Sequence, residues 1–269
     1  MGRMRSSKIW IFFLLLLAIL SLSYLALMPD IAGLKKKNPS KTAFMEYREK
    51  EWKEKGRKTK IHQAWVPLSR ISPYLIKAVL IAEDDKFWSH EGFDFEGIKE
   101  AVEKDLQARK LRFGGSTISQ QLAKNLFLSP VKSLWRKILE AYLTWRIERV
   151  LSKKRILELY LNVVEWGDGI FGAEAASRFY FEKPASELTP REAARLAVVL
   201  PSPRRLNPVG KQPYVAKRAE LIYSIMIRRG VVPPEFETAP EYPHEPSAPK
   251  GKPIEASPPR EKRPEDSMP

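Results

Sequence analysis

From Ile9 to Met28 the chain carries no charge, and only Ser21 and Ser23 interrupt its apolar character. At about 1.5 Å of rise per residue, a helix of this length matches the roughly 30 Å hydrocarbon core of a bilayer. A chain with such a run has one segment for lipid and must fold the rest beside it. Arg3, Arg5 and Lys8 precede the run. A cleaved leader is the competing reading. The run is long for that, and Ala26-Leu27-Met28 is a poor small-x-small cleavage site. The expectation is residues 1–8 in the cytoplasm and a transmembrane helix at 9–28. Lys35, Lys36 and Lys37 just beyond it blunt the charge argument for orientation.

The remaining sequence divides by composition. Residues 29–60 are polar and charged and read as a juxtamembrane stalk. Residues 61–232 show helical periodicity with few strand patterns and read as the folded domain. Half of the 22 prolines fall in 233–269 among Glu, Lys and Ser, so that segment reads as a disordered tail. The net charge of +15 points to an anionic partner without choosing among nucleic acid, phospholipid and phosphorylated substrate. No cysteine and only three histidines leave little for a thiolate or histidine metal site.

Helix starts are legible. Ser72-Pro73 puts a capping hydroxyl before a first-turn proline, Thr189-Pro190-Arg191-Glu192 is a capping box, and Pro201 closes the helix that follows. The helix from Pro73 is apolar nearly all round, which predicts burial. It ends in Glu83-Asp84-Asp85, where the dipole, the neighbouring acids and a dry helix all oppose ionisation. A carboxylate raised in this way suits a general base, although solvated acids at the end of a core helix fit the spacing too. His90, taken alone, reads as a structural histidine.

A second segment runs Gly114-Gly115-Ser116-Thr117 into a helix. Thr117 and Gln120 have capping-box spacing, and Thr117, Gln121 and Lys124 share a face. The free N–H groups of such a helix start suit phosphate, and an ordinary capped amphipathic helix fits as well. A third segment places Arg136, Lys137 and Glu140 on one face of a helix from Leu134, continued by Thr144 and Glu148. That is either a diphosphate site or a solvated ion-pair face. Between Lys132 and Arg155 there are eight basic and two acidic residues. Gly167 to Gly172 and Pro201 to Pro208 read as turns that either line a groove or only close the domain.

Together these segments resemble glycosyltransferase family fifty-one, the peptidoglycan glycosyltransferases. The resemblance is carried by Glu83-Asp84-x-x-Phe87-x-x-His90-x-Gly92, by Gly115-Ser116-Thr117-Ile118-x-Gln120-Gln121-Leu122-x-Lys124-Asn125-Leu126, by Arg136-Lys137-x-x-Glu140 and by Ser152-Lys153-x-x-Ile156-Leu157-Glu158-x-Tyr160-Leu161-Asn162. It implies a mainly α, lysozyme-like, two-lobed helical domain behind an N-terminal transmembrane helix, with a membrane-contacting jaw at Phe93 to Phe113. It implies polymerisation of lipid II into β-1,4-linked glycan with release of undecaprenyl diphosphate and without transpeptidase activity. Glu83 and Glu140 are then catalytic. Asp84, His90, Ser116, Thr117, Gln120, Gln121, Lys124, Asn125, Arg136 and Lys137 bind substrate. No metal site is assigned and no cofactor is required, although a divalent cation such as magnesium is allowed at Glu140. The implied partners are lipid II, nascent glycan, inner-membrane lipids and cell-wall synthesis proteins, not nucleic acid. The implied location is the inner membrane, single-pass, with the catalytic domain in the periplasm. A lysozyme-like lytic enzyme and a membrane-anchored scaffold are the alternatives.

Overall fold

The structure, a computed structural model, describes residues 10–15, 29–97, 99, 103, 115–131 and 133–237. The expected span at 9–28 lies outside these except for residues 10–15, which are helical and exposed. Among the described residues no helix is long and apolar enough to cross a membrane. The jaw expected at Phe93 to Phe113 and the tail beyond residue 237 also lie mostly outside them.

The domain from Ser40 onward is mainly helical. In chain order it contains α1 (Ala43–Glu54), β1 (His62–Gln63), α2 (Pro73–Glu83), α3 (Ile118–Phe127), α4 (Leu134–Val150) and α5 (Lys153–Val163). These are followed by β2 (Glu165–Gly167), β3 (Ile170–Phe171), α6 (Ala173–Phe181), α7 (Pro190–Val199), α8 (Pro213–Arg228) and the short α9 (Pro234–Glu237). The predicted caps form. Ser72 accepts the Tyr74 N–H ahead of Pro73. Thr117 with Gln120 and Thr189 with Glu192 each close a reciprocal capping box.

Two helical groups build the core. α7 packs between α2 and α8, and α3 packs against α4 and α5. Leu75, Ala78, Val79 and Leu80 of α2 are buried, as its all-round apolar character predicts. The strands form a small sheet in the order β1-β3-β2, with β1 parallel and β2 antiparallel to β3. Gly167, Ile170 and Phe171 are buried in it, so this loop is packing rather than groove wall.

Two boundaries differ from the sequence reading. The stalk expected through residue 60 gives way at Ser40 to folded structure, because Trp52 of α1 is buried and α1 is tied to the far end of the chain. Arg48 donates to Glu165 at 2.7 Å, Arg204 to Glu51 at 3.0 Å and Trp52 to Asp168 at 3.2 Å. At the other end, the first residues of the segment expected to be a tail, 233–237, are folded. α9 still touches the domain: Tyr223 donates to the Phe236 carbonyl and the Phe236 ring meets Tyr74 edge-on.

Candidate active site

α2 ends in Glu83, which is half-buried and bonded to Gln121 of α3, itself bonded to Tyr160 of α5. The Gln121 amide on α3 donates to Glu83 Oε2 at 2.7 Å. The same amide accepts from the Tyr160 hydroxyl on α5 at 3.0 Å, which fixes its orientation. Burial pushes the Glu83 carboxyl above its ordinary pKa. The Gln121 bond, Lys124 and Arg218 pull it back down, and Asp84 adds to the rise. Burial likewise pushes the Tyr160 hydroxyl well up, so it stays a donor.

Lys124 stands one helical turn beyond Gln121 on the same face. Burial lowers its pKa. Glu140 and Glu83 oppose that fall, while Arg136 and Lys137 add to it. It is therefore coupled electrostatically to both carboxylates. The second, Glu140 on α4, is 3% exposed. Arg136 donates to one of its oxygens at 2.7 Å and Lys137 to the other. Lys137 also reaches toward the Ser116 hydroxyl at 3.5 Å. The Nε of Arg136 is buried without a hydrogen-bond partner among the described residues. The divalent ion allowed at Glu140 does not fit this arrangement. Both carboxylate oxygens are already held by cations, and no group of three or more metal-ligating side chains gathers among the described residues.

Five other predicted residues turn inward. Asp84 accepts the Ile118 N–H at 2.9 Å, the first free amide of α3, and it accepts His90 Nε2 at 2.9 Å. His90 Nδ1 in turn accepts the Gly92 N–H at 3.0 Å, which places the ring proton on Nε2. The Thr117 hydroxyl donates to the Gly92 carbonyl at 2.7 Å and accepts the Gln120 N–H, while the Gln120 side chain accepts the Thr117 N–H. Asn125 folds back on the Gln121 carbonyl at 2.8 Å. The helix start that the sequence offers to phosphate is thus satisfied by the protein's own groups at Ile118 and Gln120. The other predicted residues are linked among themselves: Gln121 bonds Glu83, Lys137 bonds Glu140 and reaches Ser116, Arg136 bonds Glu140, and Lys124 is coupled electrostatically to both carboxylates. Gly92 is required here: its φ is +91°, and a Cβ would lie 2.9 Å from both the Glu148 Cγ and the Thr144 methyl.

Sequence reasoning missed two residues at this site. Tyr160 stood inside a quoted motif, the one signal the sequence offered, and the structure buries it with Gln121 as the partner of its hydroxyl. Arg218, exposed on α8, acts on Glu83 only through its field, and a Lys-Arg pair on an amphipathic helix does not announce that.

Comparison with known proteins shows the family. Residues 49–227 match the family model described as Transglycosylase. A "biosynthetic peptidoglycan transglycosylase" of Nitrosospira multiformis is 46% identical over 217 residues, 81% of this chain and 94% of that protein. Proteins of the same description are 56% identical over 192 residues in Aromatoleum aromaticum (71% of this chain, 82% of the relative) and 54% identical over 188 in Azoarcus sp. (70% and 81%). This chain, with its acid-ended α2 and the cations of α3 and α4, belongs to the transglycosylase family.

Proposed function

We propose that this chain polymerises lipid II into β-1,4-linked glycan strands and releases undecaprenyl diphosphate. One observation carries the reading. Glu83, a part-buried carboxylate bonded to one neutral amide and pushed above its normal pKa by burial, is coupled through Lys124 to Arg136 and Lys137, a part-buried and an exposed cation that share the buried Glu140. The raised acid is suited to take a proton near neutral pH, and the cations are suited to a leaving diphosphate.

Glu83 accepts the proton of the acceptor's glucosamine 4-hydroxyl as that oxygen bonds to the anomeric carbon of the donor's muramyl unit. The bond from that carbon to the diphosphate breaks, and the electron pair leaves with the phosphate oxygen. Lys124, Arg136 and Lys137 meet the developing charge. Glu140 holds Arg136 and Lys137 at fixed distance from one another and limits their mutual repulsion. Gln121, set by Tyr160, occupies Oε2 of Glu83 and leaves Oε1 for the acceptor. Asp84, His90, Thr117, Gln120 and Asn125 act by positioning α2 against α3, and Ser116 presents its hydroxyl beside Lys137. The donor linkage is α and the product linkage β, so the step inverts. A lytic lysozyme-like reaction would need an acid for a sugar leaving group and has less use for the cations.

The finer architecture belongs to the same proposal: a two-lobed lysozyme-like domain, an anchor at 9–28, an extracytoplasmic catalytic domain on the periplasmic side of the inner membrane, and cell-wall synthesis proteins as neighbours. Purified full-length protein incubated with labelled lipid II, and separately with finished glycan, tests the reaction. Glycan strands from the first and no cleavage of the second are expected. Cleavage without polymerisation would overturn it.

A further inference from the structure

α5 opens with three cations, Lys153, Lys154 and Arg155, and no acid in its first turn. The positive end of a helix dipole opposes charge of that sign. The cap does not need them, since Ser152 already accepts the Arg155 N–H. Arg155 is met by Glu158 on its own helix. Lys153 is spent elsewhere. Its ammonium donates to Glu148 on α4 at 2.8 Å and lies 4.5 Å from the centroid of the Phe87 ring. Glu148 also accepts from the Ser119 hydroxyl on α3. The Glu148 side chain is 8% exposed and that of Lys153 21%. One largely buried ion pair thus joins α3, α4 and α5.

The same pair touches the loop that follows Glu83 at both of its ends. Phe87, under the ammonium, is fully buried, and its N–H closes a turn onto the Asp84 carbonyl at 3.1 Å. At the other end, the Glu148 Cγ lies where a Cβ on Gly92 would come within 2.9 Å of it. The Asp84–His90 clamp stands between these two contacts. Glu140, Thr144 and Glu148 share one face of α4 at four-residue spacing, and the Thr144 hydroxyl donates to the Glu140 carbonyl at 2.7 Å. The helix face that holds Arg136 and Lys137 therefore ends in the residue that supports the loop. An ion pair that only joined helices would need neither a ring beneath its ammonium nor a glycine against its carboxylate stem.

We infer that Lys153 is a positioning residue, which with Glu148 fixes the loop at 84–92, and so Glu83, relative to the cations of α4. The inference deepens the proposed function and rests on it for its use. Four variants of the full-length protein test it. Lys153→Met keeps the length of the stem without the charge, Lys153→Arg keeps the cation, and Phe87→Leu removes the ring. Lys153→Met combined with Glu148→Gln removes the pair without stranding a buried carboxylate, so the question stands even where the single variant is unstable.

Amide hydrogen exchange reads the loop without catalysis. The Phe87 and Ile118 N–H groups are bonded to Asp84, and the Gly92 N–H to His90. At labelling times too short for the amides of α7 to exchange, these three should exchange about tenfold faster or more when the cation–π contact is lost. That holds for Lys153→Met, the double variant and Phe87→Leu, and Lys153→Arg should stay near wild type. In lipid II polymerisation, at a temperature where every variant is folded, the first three should lose about tenfold to a hundredfold in kcat with KM within about twofold. Arginine should restore most of kcat. Unchanged exchange in the loop overturns the inference, and so do faster exchange with normal kcat, a rise in KM with kcat intact, or exchange that rises as much in α7. A wild type that does not polymerise lipid II overturns the proposed reaction instead, and exchange still decides whether Lys153 holds the loop.

Discussion

Replacing Asp84 by asparagine separates a clamp from a substrate contact. The carboxylate accepts from the Ile118 N–H and from His90 Nε2 at once, and His90 is itself pinned by the Gly92 N–H. Asparagine keeps the shape and one acceptor oxygen. Its NH2 must then face either the Ile118 N–H or the His90 N–H, so one donor meets a donor. A lost charge-assisted hydrogen bond costs about 1.5–3 kcal/mol. Loss of the negative charge at the α3 N-terminus adds about 0.3–2 kcal/mol in a partly buried setting. The sum of about 2–5 kcal/mol corresponds to a fall in melting midpoint of about 4–20 °C for a domain of this size. Calorimetry or circular dichroism reads the midpoint, and a lipid II polymerisation assay well below it reads activity. A midpoint within 2 °C of wild type (about the smallest shift 1 kcal/mol would give) together with abolished turnover would refute the clamp and return Asp84 to the substrate.

Glu83→Gln should abolish polymerisation and raise stability. A carboxyl whose folded pKa exceeds its unfolded value weakens the fold once it ionises, so the midpoint gain over wild type should vanish at acid pH and grow as pH rises through the raised pKa. Equal midpoints at neutral pH would contradict the burial argument. Lys124→Ala and Arg136→Ala should each cost at least tenfold in kcat/KM. Removing Arg136 also leaves the buried Glu140 with one cation fewer and should lower the midpoint, while normal kinetics in both variants would remove the diphosphate assignment. Tyr160→Phe frees the Gln121 amide that holds Glu83 down, so the acid limb of the pH–rate profile should move to higher pH with the limb still present. An unmoved limb would sever that link.

What could be read from the sequence was mostly local. Caps such as Ser72-Pro73 and Thr117-x-x-Gln120 are decided within four residues, so spacing alone predicts them. The buried character of α2 follows from its own side chains. The same local signal misleads where tertiary partners decide. Asp84, His90 and Thr117 look like exposed polar residues next to a catalytic acid, yet they spend their hydrogen bonds on Ile118 and Gly92. α1 reads as a charged stalk because its composition is charged, and its partners Glu165, Asp168 and Arg204 lie more than 100 residues away. Arg218 was invisible for the same reason.

The two carboxylates are treated in opposite ways, and the difference organises the site. Glu140 is fully surrounded but carries two cations, so its charge is neutralised where it stands. Glu83 receives one neutral amide donor and no ion pair at contact distance among the described residues, so its charge is only partly met. Lys124, itself partly stripped of water, is coupled electrostatically to both. If Lys124 bonded Glu83 directly, the acid would be held ionised with little basicity to spend. If Glu140 lacked its cations, Lys124 would be drawn to it and away from the incoming diphosphate. In the proposed reaction, saturating Glu140 with Arg136 and Lys137 would leave Lys124 for the leaving group and Glu83 for the proton. The four-residue spacing of Arg136 and Glu140 on α4 is thus a condition for the behaviour of an acid on α2.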